Sequence, residues 1–299
     1  MVLKQPGPVL TAAARHAAVL GSPINHSLSP VLHMAAYRAL SLSHWSYSAH
    51  EVQRPALRRF VSGLGPQWAG LSLTMPLKEA AFEVADEVSD LAREVGAINT
   101  LVRRPDGGWS GDNTDVYGVS QALREAGCAD VASAVVLGSG ATARSVVAAL
   151  AALGCAKVTF AVRSAVRQET VDQACRSGLE VVVVGLDQVA DLLGDTQVVV
   201  STLPADAMPA NVLSANALTG RMLPAGWQRT DHLLLDVVYT SWPTPLARTF
   251  EEAGAAAVSG LEMLVHQAAE QVRLMTGLRP PVEQMRAAGL AAMAARAVR

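Results

Sequence analysis

Aromatic residues are scarce: five Trp, four Tyr and four Phe make up 4% of the 299 residues. A chain that is 51% apolar with so few rings builds its cores from Ala, Val and Leu. The three cysteines (128, 155 and 175) have neither CxxC nor Cys/His spacing, which speaks against a disulfide framework or a zinc site. They are expected as reduced packing residues of a cytoplasmic protein. Charge is sparse and balanced, with 24 Lys plus Arg against 26 Asp plus Glu and no basic block. Nucleic-acid and anionic-membrane partners are therefore not expected. No run is long and apolar enough to span a bilayer. Pro6, Pro8 and Arg15 interrupt the opening residues, so no secretory signal is expected either. No internal repeat is present. The length suits two domains with substantial cores.

The chain is organised around residues 134–150. Ala134-Val135-Val136-Leu137 reads as a strand that stops at Gly138. Gly140 follows, and Ala143 opens a helix-forming run that ends at Gly154. A second strand at 158–162 completes a βαβ unit. In a dinucleotide turn Gly138 takes the tight bend and Gly140 lets the backbone approach a pyrophosphate. Ala143 permits close helix–strand packing in place of a third Gly. The helix N-terminus then offers N–H groups to an anion. The second strand ends in Val162-Arg163-Ser164, with Arg167 expected one helical turn on and no acid before Glu169. An acid there would hold the ribose hydroxyls of NAD, whereas guanidinium groups suit the 2′-phosphate of NADP.

Elsewhere strands and helices alternate. A strand at 16–20 runs into Gly21-Ser22-Pro23-Ile24-Asn25-His26-Ser27-Leu28-Ser29-Pro30, ahead of a helix at 31–40. Ser27 and Ser29 either cap that helix or aim hydroxyls at a carboxylate. A strand at 70–74 ends at Thr74, and Pro76 is expected to start a helix with Lys78 in its first turn. Residues 86–95 read as a helix closed by Gly96. A hairpin spans 97–110, and a helix follows Asp112-Asn113-Thr114-Asp115. Further strands are expected at 181–184, 198–202, 233–239 and 256–258. A long helix over 261–276 carries Met263, His266 and Gln267, and an Ala-rich helix ends the chain.

Six of these segments, in order, resemble the shikimate dehydrogenase family from about Val19 to Gly277. They are Gly21-Ser-Pro-x-x-His-Ser-x-Ser-Pro30, Thr74-x-Pro-x-Lys78, Gly96-Ala-x-Asn-Thr100, Asp112-Asn-Thr-Asp-x-x-Gly118, the nucleotide turn, and Gly260-x-x-Met-Leu-x-x-Gln-Ala268. The resemblance implies an α/β protein of two domains. A substrate domain with a mixed sheet (1–115, completed by the returning helices of 260–299) flanks a Rossmann-type NADP domain (116–259). It implies Lys78 and Asp115 as the catalytic pair. It also implies Ser27, Ser29 and Tyr239 at the substrate carboxylate, and Thr74, Asn99 and Gln267 at the ring hydroxyls. Gly138, Ser139, Gly140, Ala141, Thr142, Ala143, Arg163, Arg167, Thr202, Gly260 and Met263 would hold NADP(H). The family pattern is broken by Ser72 where Asn is usual, by Met34, by the Ser139 and Ala141-Thr142 turn, and by Val162. Glu262 and His266 are expected near the nicotinamide end.

The implied chemistry is the reversible reduction of 3-dehydroshikimate to shikimate on the route to chorismate and the aromatic amino acids. Lys78 would supply the proton and Asp115 would orient it. No metal is called for. The partners would be a small-molecule substrate and NADP(H), on a monomer or homodimer. The neighbouring reading is a quinate or aminoshikimate dehydrogenase, one that could use NAD. A different class altogether is a non-catalytic NADP sensor, which would need neither Lys78 nor Asp115.

Overall fold

The computed structural model describes residues 13–192, 196–204, 207 and 232–297, and its strands form two six-stranded sheets. The first contains β1 (Arg15–Gly21), β2 (Trp45–Glu51), β3 (Trp68–Leu73), β4 (Glu87–Val88), β5 (Thr100–Arg103) and β6 (Trp109–Asp112). Their order is β2-β1-β3-β5-β6-β4. β1 pairs parallel with β2 and β3, whereas β5 runs antiparallel to both β3 and β6, so the sheet is mixed. Side chains alternate across it. Ala17 and Val19 join Leu32 and Tyr37 of α1 (Ser29–Ala39), while Ala18 and Leu20 join Leu57, Leu71 and Ile98 on the other face.

The second sheet contains β7 (Ser133–Leu137), β8 (Lys157–Val162), β9 (Glu180–Gly185), β10 (Val198–Ser201), β11 (Leu233–Asp236) and β12 (Ala256–Ser259). All five pairings are parallel, in the order β12-β11-β10-β7-β8-β9. This is the doubly wound Rossmann arrangement, with the strand order reversing between β7 and β10. Both faces are covered, which is why the strands read as continuous apolar runs. Val136 and Phe160 pack with Val147 and Leu150 of α5 (Ala141–Ala152) on one face. Val135 and Leu137 pack with Leu246 and Phe250 of α8 (Pro245–Glu252) on the other.

Helices α9 (Gly260–Thr276) and α10 (Val282–Ala297) return to the first sheet. Val265, Val272 and Met285 lie in one core with Leu28 and Leu32. α9 also crosses α4 (Asp115–Glu125) so closely that a Cβ on Gly118 would sit 2.6 Å from the Met263 carbonyl. Arg286 of α10 fastens this corner. Its Nε donates to Glu262 at 2.8 Å and its Nη2 to Glu125 at 2.6 Å, and Glu125 also lies 3.1 Å from His266 Nε2. Glu262 and His266 therefore belong to a helix-joining ion network rather than to the nicotinamide end. Their metal-like grouping with Glu125 is occupied by a guanidinium.

Several expected elements differ. Lys78 lies in a turn, not a helix: its carbonyl accepts the Ile98 amide at 2.8 Å, and helical turns begin only at the 3-10 segment Ala80–Glu83. Residues 86–95 divide into β4, which pairs with β6, and α3 (Asp90–Val95). The Ser89 hydroxyl accepts the Ala92 amide at 3.1 Å and starts that helix. β11 stops at Asp236, three residues before Tyr239. The buried Asp236 carboxylate turns the chain by accepting from the Val238 amide and, at 2.7 Å, from Thr244. Arg163 and Arg167 share a loop and not a helix face, because α6 (Gln168–Arg176) begins one residue after Arg167.

His33 is fully buried in α1 and stacks on Tyr47 at 3.9 Å. Its Nδ1 donates to the Ser29 carbonyl at 2.9 Å, and Nε2 has no hydrogen-bond partner. Burial lowers its pKa to about 4 from the usual 6.5. The unfolded chain therefore binds the extra proton between those values, so stability is full above pH 6.5 and falls as pH drops toward 4. The full shift corresponds to roughly 3 kcal/mol. Urea titrations from pH 7 to pH 4.5 should show a shallower loss in His33→Asn than in wild type. Equal slopes would contradict the assignment.

Candidate active site

The switch point of the second sheet forms one wall of a cleft. Gly138 follows β7 with φ of 96°, and a Cβ there would lie 2.7 Å from Thr202 Oγ1. Thr202, just beyond β10, donates its hydroxyl to the Leu137 carbonyl at 2.8 Å. Among the described residues nothing stands within 4 Å of the Cβ direction at Gly140, which is the N-cap of α5. No side chain caps that helix and no acid lies in its first turn, so its N–H groups suit an anion. Ala143 is fully buried, as close packing of helix on strand demands. Ser139 ties the turn to the next loop: its hydroxyl accepts the Arg167 amide at 3.1 Å and its carbonyl accepts Thr170 at 2.8 Å. These features fit a dinucleotide pyrophosphate. Arg163 is exposed directly after β8, and Arg167 reaches Glu79 at 3.5 Å. The chain just after Pro204 lies almost wholly outside the described residues.

Thr74, Lys78, Thr142 and Arg167 also line this cleft, whose volume is about 430 Å³. Thr74, Lys78 and Thr142 are shared with an adjoining cavity of about 270 Å³. Ser27, Ser29, Asp115, Tyr239, Gly260, Met263 and Gln267 line that second space. Lys78 stands between the two, with Nζ 2.7 Å from Asp115 Oδ2 and 3.5 Å from Thr142 Oγ1. Asp115 is 1% exposed, and its Oδ1 has no hydrogen-bond partner among the described residues. A buried carboxylate oxygen left open is costly unless a donor enters beside it. The Lys–Asp pair lies where both spaces meet.

Ser29 is the first residue of α1 and is 7% exposed, and no side chain caps that helix. The Ser27 hydroxyl accepts the Ser29 amide at 3.2 Å, a local bond that still leaves it on the cavity wall. Burial raises the Tyr239 pKa, an effect opposed by a hydrogen bond at Leu28, so the phenol remains a donor beside the serines. Asn99 does not line the cavity. It stands behind Gln267, to whose Oε1 it donates at 3.0 Å.

Sequence reasoning missed Glu79 and Arg144. Arg144 is 4% exposed and donates to the Val95 and Gly96 carbonyls at 2.7 and 3.0 Å, and to Glu79 at 2.7 Å. A cation at the C-terminus of α3 is favoured by the helix dipole and pins α5 to the first sheet. The signal was adjacency, since Glu79 follows Lys78 and Arg144 follows Ala143.

A Rossmann sheet, an anion-binding turn and a Lys–Asp pair at the head of a cavity lined by hydroxyl and amide groups define a dinucleotide-dependent oxidoreductase. Comparison narrows the class. The family model for the shikimate dehydrogenase substrate binding domain matches residues 19–101, that for shikimate / quinate 5-dehydrogenase matches 120–236, and that for the shikimate 5′-dehydrogenase C-terminal domain matches 260–288. The shikimate dehydrogenase (NADP(+)) of Methanosarcina barkeri is 37% identical over 92% of this chain and 97% of its own. The crystal structure of Mycobacterium tuberculosis shikimate dehydrogenase is 43% identical with a TM-score of 0.81, covering 93% of this chain and 99% of that one. The Thermus thermophilus shikimate 5-dehydrogenase, solved with NADP(H) and shikimate, is 31% identical with a TM-score of 0.77, at coverages of 93% and 99%. The chain belongs to the shikimate dehydrogenase family.

Proposed function

We propose that this protein catalyses the reversible, NADP-dependent reduction of 3-dehydroshikimate to shikimate. The observation that carries the reading is the Lys78–Asp115 pair, 2.7 Å apart at the junction of the substrate cavity and the dinucleotide cleft. NADPH, when bound, supplies the hydride. Lys78 Nζ donates a proton to the ring oxygen as negative charge develops there. Asp115 Oδ2 holds the ammonium in place, and its open Oδ1 accepts a neighbouring ring hydroxyl. In the oxidative direction the same atoms run in reverse, with Lys78 taking the hydroxyl proton. Thr142, on the dinucleotide-binding helix, contacts Lys78 and so couples cofactor placement to the proton donor.

The substrate carboxylate is held by Ser27, Ser29 and Tyr239, and the ring hydroxyls by Thr74 and Gln267, with Asn99 behind Gln267. The division into a substrate domain (1–115 with 260–299) and a cofactor domain (116–259) follows the two sheets. Among the described residues no helix is long and apolar enough to cross a membrane. The partners in this reading are a small-molecule substrate and NADP(H), and the balanced charge argues against nucleic acid. Initial rates with shikimate, quinate and aminoshikimate, each with NADP and NAD, test the reading. Shikimate with NADP should be the preferred pair, and a preference for quinate with NAD would overturn it.

Ser29→Ala should raise KM for shikimate roughly ten- to a hundred-fold, the loss of one hydrogen bond to a charged group. Turnover should change less. An unchanged KM with a lowered unfolding midpoint would return Ser29 to a helix-starting role.

A further inference from the structure

A buried hydrogen-bond relay runs behind the substrate cavity, and its direction is set by backbone atoms. The Thr114 amide donates to Asn99 Oδ1 at 2.8 Å. A backbone N–H cannot accept, so that atom is oxygen and the other is the Nδ2 donor to Gln267 Oε1. The Gln267 amide nitrogen is thereby left for the cavity, which Gln267 lines. A second anchor fixes Gln271, which is 2% exposed. Its Nε2 donates to Thr100 Oγ1 at 3.0 Å and reaches the Asn99 carbonyl at 3.5 Å. A carbonyl only accepts, so Gln271 Oε1 faces Ser72 and takes the Ser72 hydroxyl proton at 2.7 Å. Ser72 in turn accepts from the Tyr47 hydroxyl at 2.6 Å. Tyr47 is buried, and burial pushes its pKa well above the usual 10, which keeps it a donor. Thr100 completes the circuit by donating to Asn99 Oδ1 at 2.7 Å.

We infer that Gln271, which does not meet the cavity, is a specificity-setting positioning residue: its Oε1, held in place by the two contacts of its Nε2, fixes Ser72 as an acceptor toward substrate, while Asn99, set by the Thr114 amide, fixes Gln267 as a donor. Ser72 has one donor and two acceptor positions. Its proton is committed to Gln271 and one lone pair to Tyr47, so only an acceptor remains for the cavity it lines. Gln267 has its oxygen committed to Asn99 and presents N–H groups. The substrate group beside Ser72 must therefore donate, and the group beside Gln267 must accept. A ring hydroxyl satisfies either requirement, whereas fluorine cannot donate to Ser72 and accepts only weakly from Gln267.

The inference rests on the proposed shikimate activity, and its test separates the two. The substrates are shikimate and two analogues, each with one of the two non-reacting ring hydroxyls replaced by fluorine. Leaving a buried partner unpaired costs about 1–3 kcal/mol, so wild type should discriminate by roughly ten- to a hundred-fold in kcat/KM against the analogue whose fluorine faces Ser72. Gln271→Met frees the Ser72 hydroxyl to rotate. It should shrink that ratio about tenfold toward unity while kcat with shikimate stays within about threefold. A purely structural role would scale all three substrates alike, and that result would overturn the inference. Should Gln271→Met fail to fold, Ser72→Ala, which removes the acceptor itself, should also abolish the discrimination; its persistence would contradict the relay. Wild type that turns over shikimate and both analogues equally well defeats the relay alone. Wild type that does not turn over shikimate defeats the functional reading.

Discussion

Lys78→Ala is expected to lower turnover by roughly 10²–10⁴-fold while changing KM for shikimate little. Among the described residues the ammonium is the one cation lining both spaces, and its 2.7 Å contact with Asp115 leaves little freedom of position. Without it no charged acid among the described residues faces the forming alkoxide from that wall, so the loss falls on the transition state more than on ground-state binding. Asp115→Asn should affect both steps. It removes the partner charge of Lys78 and replaces a carboxylate, one of whose oxygens has no hydrogen-bond partner among the described residues. Steady-state kinetics on both variants check this. A Lys78→Ala enzyme retaining more than about a tenth of wild-type turnover would remove Lys78 from the chemistry.

Arg163→Ala is expected to weaken NADP binding roughly ten- to a hundred-fold, the worth of one charge-assisted contact of about 1.5–3 kcal/mol. NAD binding should barely change, because no phosphate is left unpaired. Arg163 is the more informative of the two loop arginines. Arg167 is already drawn toward Glu79 at 3.5 Å, so a phosphate must compete with that carboxylate for it. Titration of both cofactors into wild type and variant decides the matter. Equal loss of both, or a wild type that prefers NAD, would contradict a phosphate-binding role.

The dinucleotide half of the site was legible because its signal is local. An apolar strand, Gly138, Gly140, Ala143 and a helix-forming run lie within one βαβ unit, and each small residue answers one steric demand. The catalytic pair was legible only through resemblance, since Lys78 and Asp115 are 37 positions apart and no periodicity links them. Local reasoning placed Lys78 in a helix because Pro76 suits a helix start. The Ile98 amide, from a distant turn, claims the Lys78 carbonyl instead. Arg144 reads in sequence as an ordinary helix-surface charge, and its burial depends on two carbonyls 48 and 49 positions away. The Tyr47–Ser72–Gln271 relay is less visible still. One of its bonds joins residues 199 positions apart, and its polarity depends on backbone groups whose directions exist only in the folded chain. The likeness in sequence shows Ser72 as a departure from the family pattern; only the geometry shows what holds it.

The most direct test of the central claim is to follow the label when shikimate deuterated at its reacting ring carbon is oxidised with NADP by the purified protein. Direct transfer across the junction at Lys78 predicts deuterium at carbon four of the reduced nicotinamide, with one reduced cofactor formed per dehydroshikimate. Reduced cofactor without deuterium, or no reduction of NADP by shikimate at all, would contradict it.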